Sequence, residues 1–289
     1  MIPPSFDYHA PKTIPEAVGL LGRFGEEAKV LSGGQSLLPL LKLRLARPAH
    51  LVDIGRIAGL DYLKEEGGFL KIGALVREAE LEASPLVRSK YPILADTAAV
   101  IADPLVRNLA TVAGNLAHGD PANDHPATML ALGAEVAVTG PKGQRTIPVA
   151  QFFTGLFTTA LAPDEILTEI RIPTPPAGSG GAYVKLERKV GDFSTAGAAA
   201  QLTLKGGAVE RAGIGLTNVA PTPLIAQDAE KFLTGKKPEE ATLAEAARLA
   251  AAATRPSADR RGSVEYKKEM ARVLTLRALR KAVQRAGGK

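Results

Sequence analysis

Two short glycine-centred stretches hold the groups best suited to chemistry: Ser32-Gly33-Gly34-Gln35-Ser36 and Thr111-Val112-Ala113-Gly114-Asn115. Glycine allows positive φ and close backbone approach, so successive main-chain N–H groups can converge on phosphate oxygens. Ser32, Gln35, Ser36, Thr111 and Asn115 add neutral hydrogen-bonding groups. A helix expected to begin near Ser36 adds a positive dipole end. One diphosphate bridging both stretches suits the pattern, and a pair of tight turns without a ligand suits it equally. Neither stretch is a G-x-G-x-x-G between strand and helix or a G-x-x-x-x-G-K-[ST], which counts against a Rossmann dinucleotide site and a P-loop.

The second stretch lies within the polar passage from Ala102-Asp103-Pro104 to Asp124-His125-Pro126, flanked by apolar segments. So long a polar run inside a compact domain points to function. His118 and His125, near Asp120 and Asp124, raise the idea of a metal, but they match no usual ligand spacing. The expectation is that one carboxylate binds a hydroxyl and the other caps a helix or turn. The chain has no cysteine, which excludes disulfides, thiolate metal sites, iron–sulfur ligation and a cysteine nucleophile.

These stretches need elements to hold them. Thr13 and Glu16 are spaced as a capping box with Pro15 in the first turn, and Ile14, Ala17, Val18, Leu21 and Phe24 fall on one helical stripe. Strands are predicted at Ala28–Leu31, His50–Ile54, Gly68–Leu75, Ala134–Thr139 and Glu165–Ile172. Helices are predicted at Val76–Glu82, Pro92–Ala102 and Thr128–Leu132. The Pro- and Gly-rich run 173–181 reads as a linker. Beyond it come strands at Tyr183–Leu186, Ala196–Leu204 and Val209–Leu216, then helices at Leu243–Ala253 and Val264–Val283. The chain of 289 residues thus reads as two domains, mixed α/β before a boundary near residue 176 and a small antiparallel sheet with helices after it.

Residues 231–289 hold 15 Lys/Arg against 6 Asp/Glu, and residues 1–230 hold 21 against 24. The basic tail lacks the aromatic interleaving of single-strand binders, so it reads as a surface helix, with docking to another subunit as the runner-up and no nucleic acid expected. No signal-peptide pattern and no long apolar span is evident, so the expectation is no membrane span and a cytoplasmic address.

Ser32 through Leu37-Leu38-Pro39 to Arg44, followed by Leu51-Val52-Asp53-Ile54, resembles the first flavin loop of the FAD-binding medium subunits of molybdenum hydroxylases, the carbon monoxide dehydrogenase and xanthine dehydrogenase group. Arg107-Asn108 through Leu116, then Asp120 to Asp124, resembles the second loop, and Gly191-Asp192-Phe193-Ser194 the segment reaching back over the flavin. The resemblance runs from about residue 2 to about 285. It implies an α+β chain: a two-subdomain α/β FAD-binding domain of the PCMH type (1–176, subdomains about 1–56 and 57–176), then a C-terminal flavoprotein domain (177–289).

The resemblance also implies FAD as cofactor. Ser32, Gly33, Gly34, Gln35 and Ser36 would cradle the diphosphate with Thr111, Val112, Ala113, Gly114 and Asn115, and Leu31, Leu37 and Asn108 would also contact the cofactor. Asp124 would accept from the ribityl or neighbouring hydroxyls, and Lys185 would lie near the pyrimidine end, favouring an anionic reduced flavin. Leu161 and Leu167 would pack near the ring, Phe193 beside it, and the adenine near Ile101. Ala113 stands where glycine is usual, Phe193 where tyrosine is frequent, and Asp103-Pro104-Leu105 where a histidine-and-glutamine pattern is more usual. The implied role is an oxidoreductase subunit that transfers electrons without substrate turnover of its own. Its implied partners are a large molybdopterin subunit and a small subunit with two [2Fe–2S] clusters, in a heterotrimer or a dimer of heterotrimers. The alternatives are a stand-alone FAD-dependent oxidoreductase and a flavin-less assembly subunit on the same scaffold.

Overall fold

The computed structural model describes residues 2–287. The chain opens with a small parallel unit: β1 (Asp7–His9), α1 (Ile14–Phe24), β2 (Ala28–Leu31), α2 (Leu37–Lys42) and β3 (His50–Asp53), with strand order β1-β3-β2. Helix α1 starts where the sequence predicts. The Thr13 hydroxyl accepts the Glu16 N–H, Pro15 sits in the first turn, and Ala17, Val18 and Leu21 are buried. The Glu16 carboxylate accepts from the Lys12 N–H. That is one residue earlier than a capping box requires, so the box is half formed.

Next come β4 (Leu63–Glu66), β5 (Phe69–Gly73), α3 (Glu78–Ala83), α4 (Pro85–Lys90), α5 (Pro92–Ala99), α6 (Pro104–Arg107), α7 (Val112–His118) and α8 (His125–Leu132). Strands β6 (Glu135–Gly140), β7 (Gly143–Pro148), β8 (Phe153–Gly155), β9 (Thr158–Thr159) and β10 (Ile166–Pro173) follow. A five-stranded antiparallel sheet forms in the order β4-β5-β10-β6-β7. Its apolar face and helices α1, α3, α5, α7 and α8 share the first core. Helix α8 is buried at every position, because it also packs on the next sheet.

That sheet is antiparallel, β11 (Ser179–Leu186), β12 (Ala196–Lys205), β13 (Ala208–Thr217) and β14 (Leu224–Ile225), followed by α9 (Gln227–Leu233), α10 (Glu240–Ala252) and α11 (Val264–Ala286). Strand β12 begins Ala-Gly-Ala-Ala-Ala, and α11 and α8 both pack on it. Small side chains let the helices approach the strand backbone closely. A Cβ on Gly215 of β13 would come within 1.9 Å of the Ala127 carbonyl of α8.

The predicted linker is narrower than 173–181, since β10 runs through Pro173 and β11 begins at Ser179. The helix predicted at Val76–Glu82 starts two residues late. Val76 accepts from the Val112 N–H, and Arg77 bridges Thr111, which holds these residues extended. Strands β1, β4, β7, β8, β9 and β14 are additions to the sequence reading. The basic helix α11 is more than a solvated surface: Lys281 and Arg285 reach Asp96 of α5 at 3.0 and 2.6 Å, and Arg285 also donates to the Gly181 carbonyl. Among the described residues, no helix is long and apolar enough to cross a membrane.

Candidate functional site

The two glycine stretches meet. The Ser32 and Thr111 hydroxyls lie 3.1 Å apart. A Cβ on Gly33 would fall 2.1 Å from the Leu109 carbonyl oxygen and 2.9 Å from the Ala110 Cα. Only a residue without a side chain lets the segments approach this closely. Gly34 adopts φ +74°, turning the chain from β2 into α2. The Leu38 N–H donates to the Gly34 carbonyl, and Gln35 folds back to the Gly33 carbonyl. Leu31 ends β2 and Leu37 begins α2, both half-buried.

The second stretch is the first turn of a helix. Thr111 is the N-cap of α7, its hydroxyl accepting the Gly114 N–H at 3.2 Å. Ala113 lies inside that turn, buried and without positive φ. Its methyl group therefore carries no backbone strain. Val112 is buried beside it. Asn115 Oδ1 is buried and has no hydrogen-bond partner. A buried amide oxygen left unpaired costs free energy, so a donor from a bound group would fit there. Asn108 closes α6, and its carbonyl accepts from Arg77. Arg107 is committed to structure: it pairs with Glu82 at 2.8 Å and donates to the Ile101 and Ala102 carbonyls.

A second cluster gathers on Asp124. Its Oδ1 accepts from the Tyr183 hydroxyl at 2.5 Å and the Ser194 hydroxyl at 2.6 Å, and its Oδ2 from Lys185 Nζ at 3.0 Å. Lys185 also donates to the Val100 carbonyl at 2.9 Å and lies 3.3 Å from Glu187. Burial, then the Asp124 charge, pushes the Tyr183 hydroxyl well above its ordinary pKa. It remains a donor throughout the working pH range. A carboxylate offers about four lone-pair sites. Three are used here, which leaves Oδ2 able to accept once more.

Phe193 is half-exposed on the loop after β11. Asp192 beside it accepts the Phe193 N–H and pairs with Arg261 at 2.9 Å. Arg261, with help from the backbone N–H, holds the Asp192 carboxyl below the usual range. Gly191 rests against the Ala102 backbone, next to the buried Ile101. Leu167 is buried on β10 and Leu161 packs on the same core. Helix α7 touches β10 and β9, the strand that leads to Leu161.

Tyr183, Glu187 and Ser194 join this cluster although the sequence does not mark them as site residues. Tyr183 and Lys185 alternate along β11, so they share one face, and Glu187 follows just past its end. That run of polar groups on an otherwise buried strand is the signal that could have found them. His118 and His125 do not join in a metal site: among the described residues no group of three or more His, Asp or Glu side chains is placed to hold one. His118 packs on Phe157, and burial lowers its pKa against the opposing charge of Asp120.

Two backbone segments meet across a glycine contact, and the C-terminal sheet contributes Lys185 to the buried Asp124 cluster, an arrangement that suits a coenzyme-binding protein. Residues 4–175 match the family described as "FAD binding domain in molybdopterin dehydrogenase", and residues 181–282 match the "CO dehydrogenase flavoprotein C-terminal domain". The chain is 49% identical over 286 residues to the carbon monoxide dehydrogenase medium chain of Afipia carboxidovorans, covering 99% of each. It is 47% identical over 282 residues to that of Hydrogenophaga pseudoflava, covering 98% of each. A solved carbon monoxide dehydrogenase from Hydrogenophaga pseudoflava superposes with a TM-score of 0.96 at 49% identity, covering 99% of both chains. Quinoline 2-oxidoreductase from Pseudomonas putida 86 superposes at 0.92 and 35% identity, again over 99% of each chain. The chain belongs to the FAD-binding medium-subunit family of the molybdenum hydroxylases, and FAD is its cofactor.

Proposed function

We propose that the chain is the electron-transferring flavin subunit of a heteromeric molybdenum hydroxylase. It would pass electrons from iron–sulfur centres on a small partner subunit, through FAD, to an external acceptor. The observation that carries this reading is the Ser32–Thr111 junction with the unpaired Asn115 Oδ1 beside it. Residues 31–37 and 111–115, with Asn108, would hold the diphosphate through main-chain N–H groups and hydroxyls. Asp124 would accept one coenzyme hydroxyl on its remaining Oδ2 lone pair. Lys185 donates to the Val100 carbonyl and to Asp124, so it would act chiefly through charge, tempered by Asp124 and Glu187. Ile101 would border the adenine, and Leu161, Leu167 and Phe193 the ring, shielding it from water.

FAD, when bound, supplies a carrier that takes electrons singly and gives them up singly or in pairs. A chain without cysteine cannot ligate an iron–sulfur cluster through thiolates, so those centres belong to another polypeptide. A large molybdopterin subunit would complete the complex, as a heterotrimer or a pair of them, in the cytoplasm. The domain boundary in this reading lies near residue 176. The test is to purify the chain alone and with its partners, identify the released cofactor, and assay substrate oxidation in both. FAD release from the chain and oxidation only by the complex are expected. Substrate oxidation by the isolated chain refutes the division of labour.

A further inference from the structure

Beneath the junction of the two clusters lies an acid–base pair with no assigned role. Glu78 Oε2 and His125 Nε2 are 2.7 Å apart, and both side chains are fully shielded from solvent. We propose that Glu78 and His125 are positioning residues for the coenzyme, holding the Asp124 turn in register with the Thr111 helix start. The inference rests on the assignment of those two segments to FAD.

Each partner is fixed to one of the segments by the main chain. The Glu78 N–H donates to the Ala110 carbonyl at 2.9 Å, Arg77 bridges Thr111, and the Val112 N–H donates to Val76. Residues 76–78 therefore run beside 110–112, and any movement of Glu78 is felt at Thr111. His125 is the next residue after Asp124 and opens α8. The preceding residue, Asn123, donates to the Asn115 carbonyl at 2.8 Å and accepts from the Thr217 hydroxyl at 2.6 Å. The side-chain contact between Glu78 and His125 closes a ring: Thr111, residues 76–78, His125, Asp124, Asn123, Asn115, and back along α7.

Stability alone does not account for the pair. A buried ion or hydrogen-bonded pair is often no better than well-packed apolar groups of the same volume. Here the cost is larger, because Glu78 Oε1 and His125 Nδ1 are also buried and unpartnered. An arrangement that gives up stability but fixes the spacing of two ligand-binding segments is understood through that spacing. Directional contacts specify position, whereas apolar packing at the same place would let the segments slide.

The test uses the full-length chain stripped of FAD and retitrated, with three readouts. These are the dissociation constant from flavin fluorescence, the visible circular dichroism of the bound flavin, and the melting of the flavin-free chain. Glu78→Met keeps side-chain volume and removes the directional contact. It is expected to raise the dissociation constant about tenfold or more and to change the visible dichroism. Glu78→Gln keeps a hydrogen-bonding group at the same reach and is expected to stay within about threefold of the parent, on the same scale of tenfold per 1.4 kcal/mol.

Wild-type affinity and dichroism in Glu78→Met overturn the proposal, as does an equal loss in Glu78→Gln. If Glu78→Met shows no cooperative melt, His125→Leu replaces it under the same criteria. Loss of the fold in both variants also overturns the proposal, because the pair would then serve the core and not the coenzyme. Failure of the parent chain to take up FAD is a separate result and sinks the functional reading itself.

Discussion

Gly33→Ala tests the proposal that the meeting of the Ser32 and Thr111 segments forms the FAD site. The added Cβ would stand 2.1 Å from the Leu109 carbonyl oxygen and 2.9 Å from the Ala110 Cα, against an ordinary contact of at least 3.4 Å. Both obstacles are backbone, so no flexible side chain can swing aside. The segments must part by about 1 Å or more, which opens the Ser32–Thr111 contact. Overpacking of this kind costs about 1–3 kcal/mol. If the cost falls on the binding geometry, the FAD dissociation constant rises about 5- to 150-fold, at tenfold per 1.4 kcal/mol. The assay is a fluorescence titration of the flavin-free chain, with Gly22→Ala as the control. Gly22 lies on an exposed face of α1, where a Cβ meets nothing within 4 Å. That change should leave binding intact and should raise stability slightly. Undiminished FAD affinity in Gly33→Ala would refute the claim that the close approach builds the site.

Three further outcomes follow from the charged clusters. Asp124→Asn leaves the buried Lys185 facing Glu187 alone and should cost about 3–5 kcal/mol in a urea melt, as for other broken buried pairs; a change within experimental error would show that Glu187 suffices. The Asp192 carboxyl is held below its ordinary value, chiefly by Arg261. Its contribution to holding the Phe193 loop is therefore present above the unfolded carboxylate range and is lost as pH falls through the depressed folded value. Limited proteolysis at residues 188–193 should increase across that acidic window in the parent and should begin at higher pH in Arg261→Ala; identical profiles would remove Arg261 from the account. Asp96→Ala deprives Lys281 and Arg285 of their shared partner, so amide exchange in the last two turns of α11 should quicken while α10 is unchanged.

What could be read from the sequence follows the range of the interactions. Strand β2 and helix α1 were legible to the residue or nearly so, because Thr13, Pro15 and the apolar stripe act within a few positions. The first glycine stretch was legible for the same reason. The second was read as a loop and is the opening turn of α7. Thr111 caps that turn, a role that threonine commonly takes at a helix start. Strands β4 and β7 went unseen because their sequences, Leu-Lys-Glu-Glu and Gly-Gln-Arg-Thr-Ile-Pro, carry edge-strand polarity without an apolar alternation. The contacts of Asp124 span 59 to 70 residues. The alternation of Tyr183 and Lys185 along β11 marks one face, but no local pattern says that this face meets Asp124.

The same long-range contacts tie the segment around Asp124 to the C-terminal sheet. The first core supplies the Ser32 and Thr111 segments. Asp124, at the start of α8, would be a buried carboxylate without compensation if β11 were absent, and such a charge costs several kcal/mol or forces the group to neutralise (roughly, by transfer estimates). Strand β11 answers it with one ammonium, and Tyr183 and Ser194 with one hydroxyl each. Helix α8 cannot be exposed either, since all its residues are buried between the two sheets. Packing and charge therefore make the same demand at the same point. The C-terminal domain supplies the partners that satisfy Asp124, and loss of its β11 face would be felt first at that carboxylate.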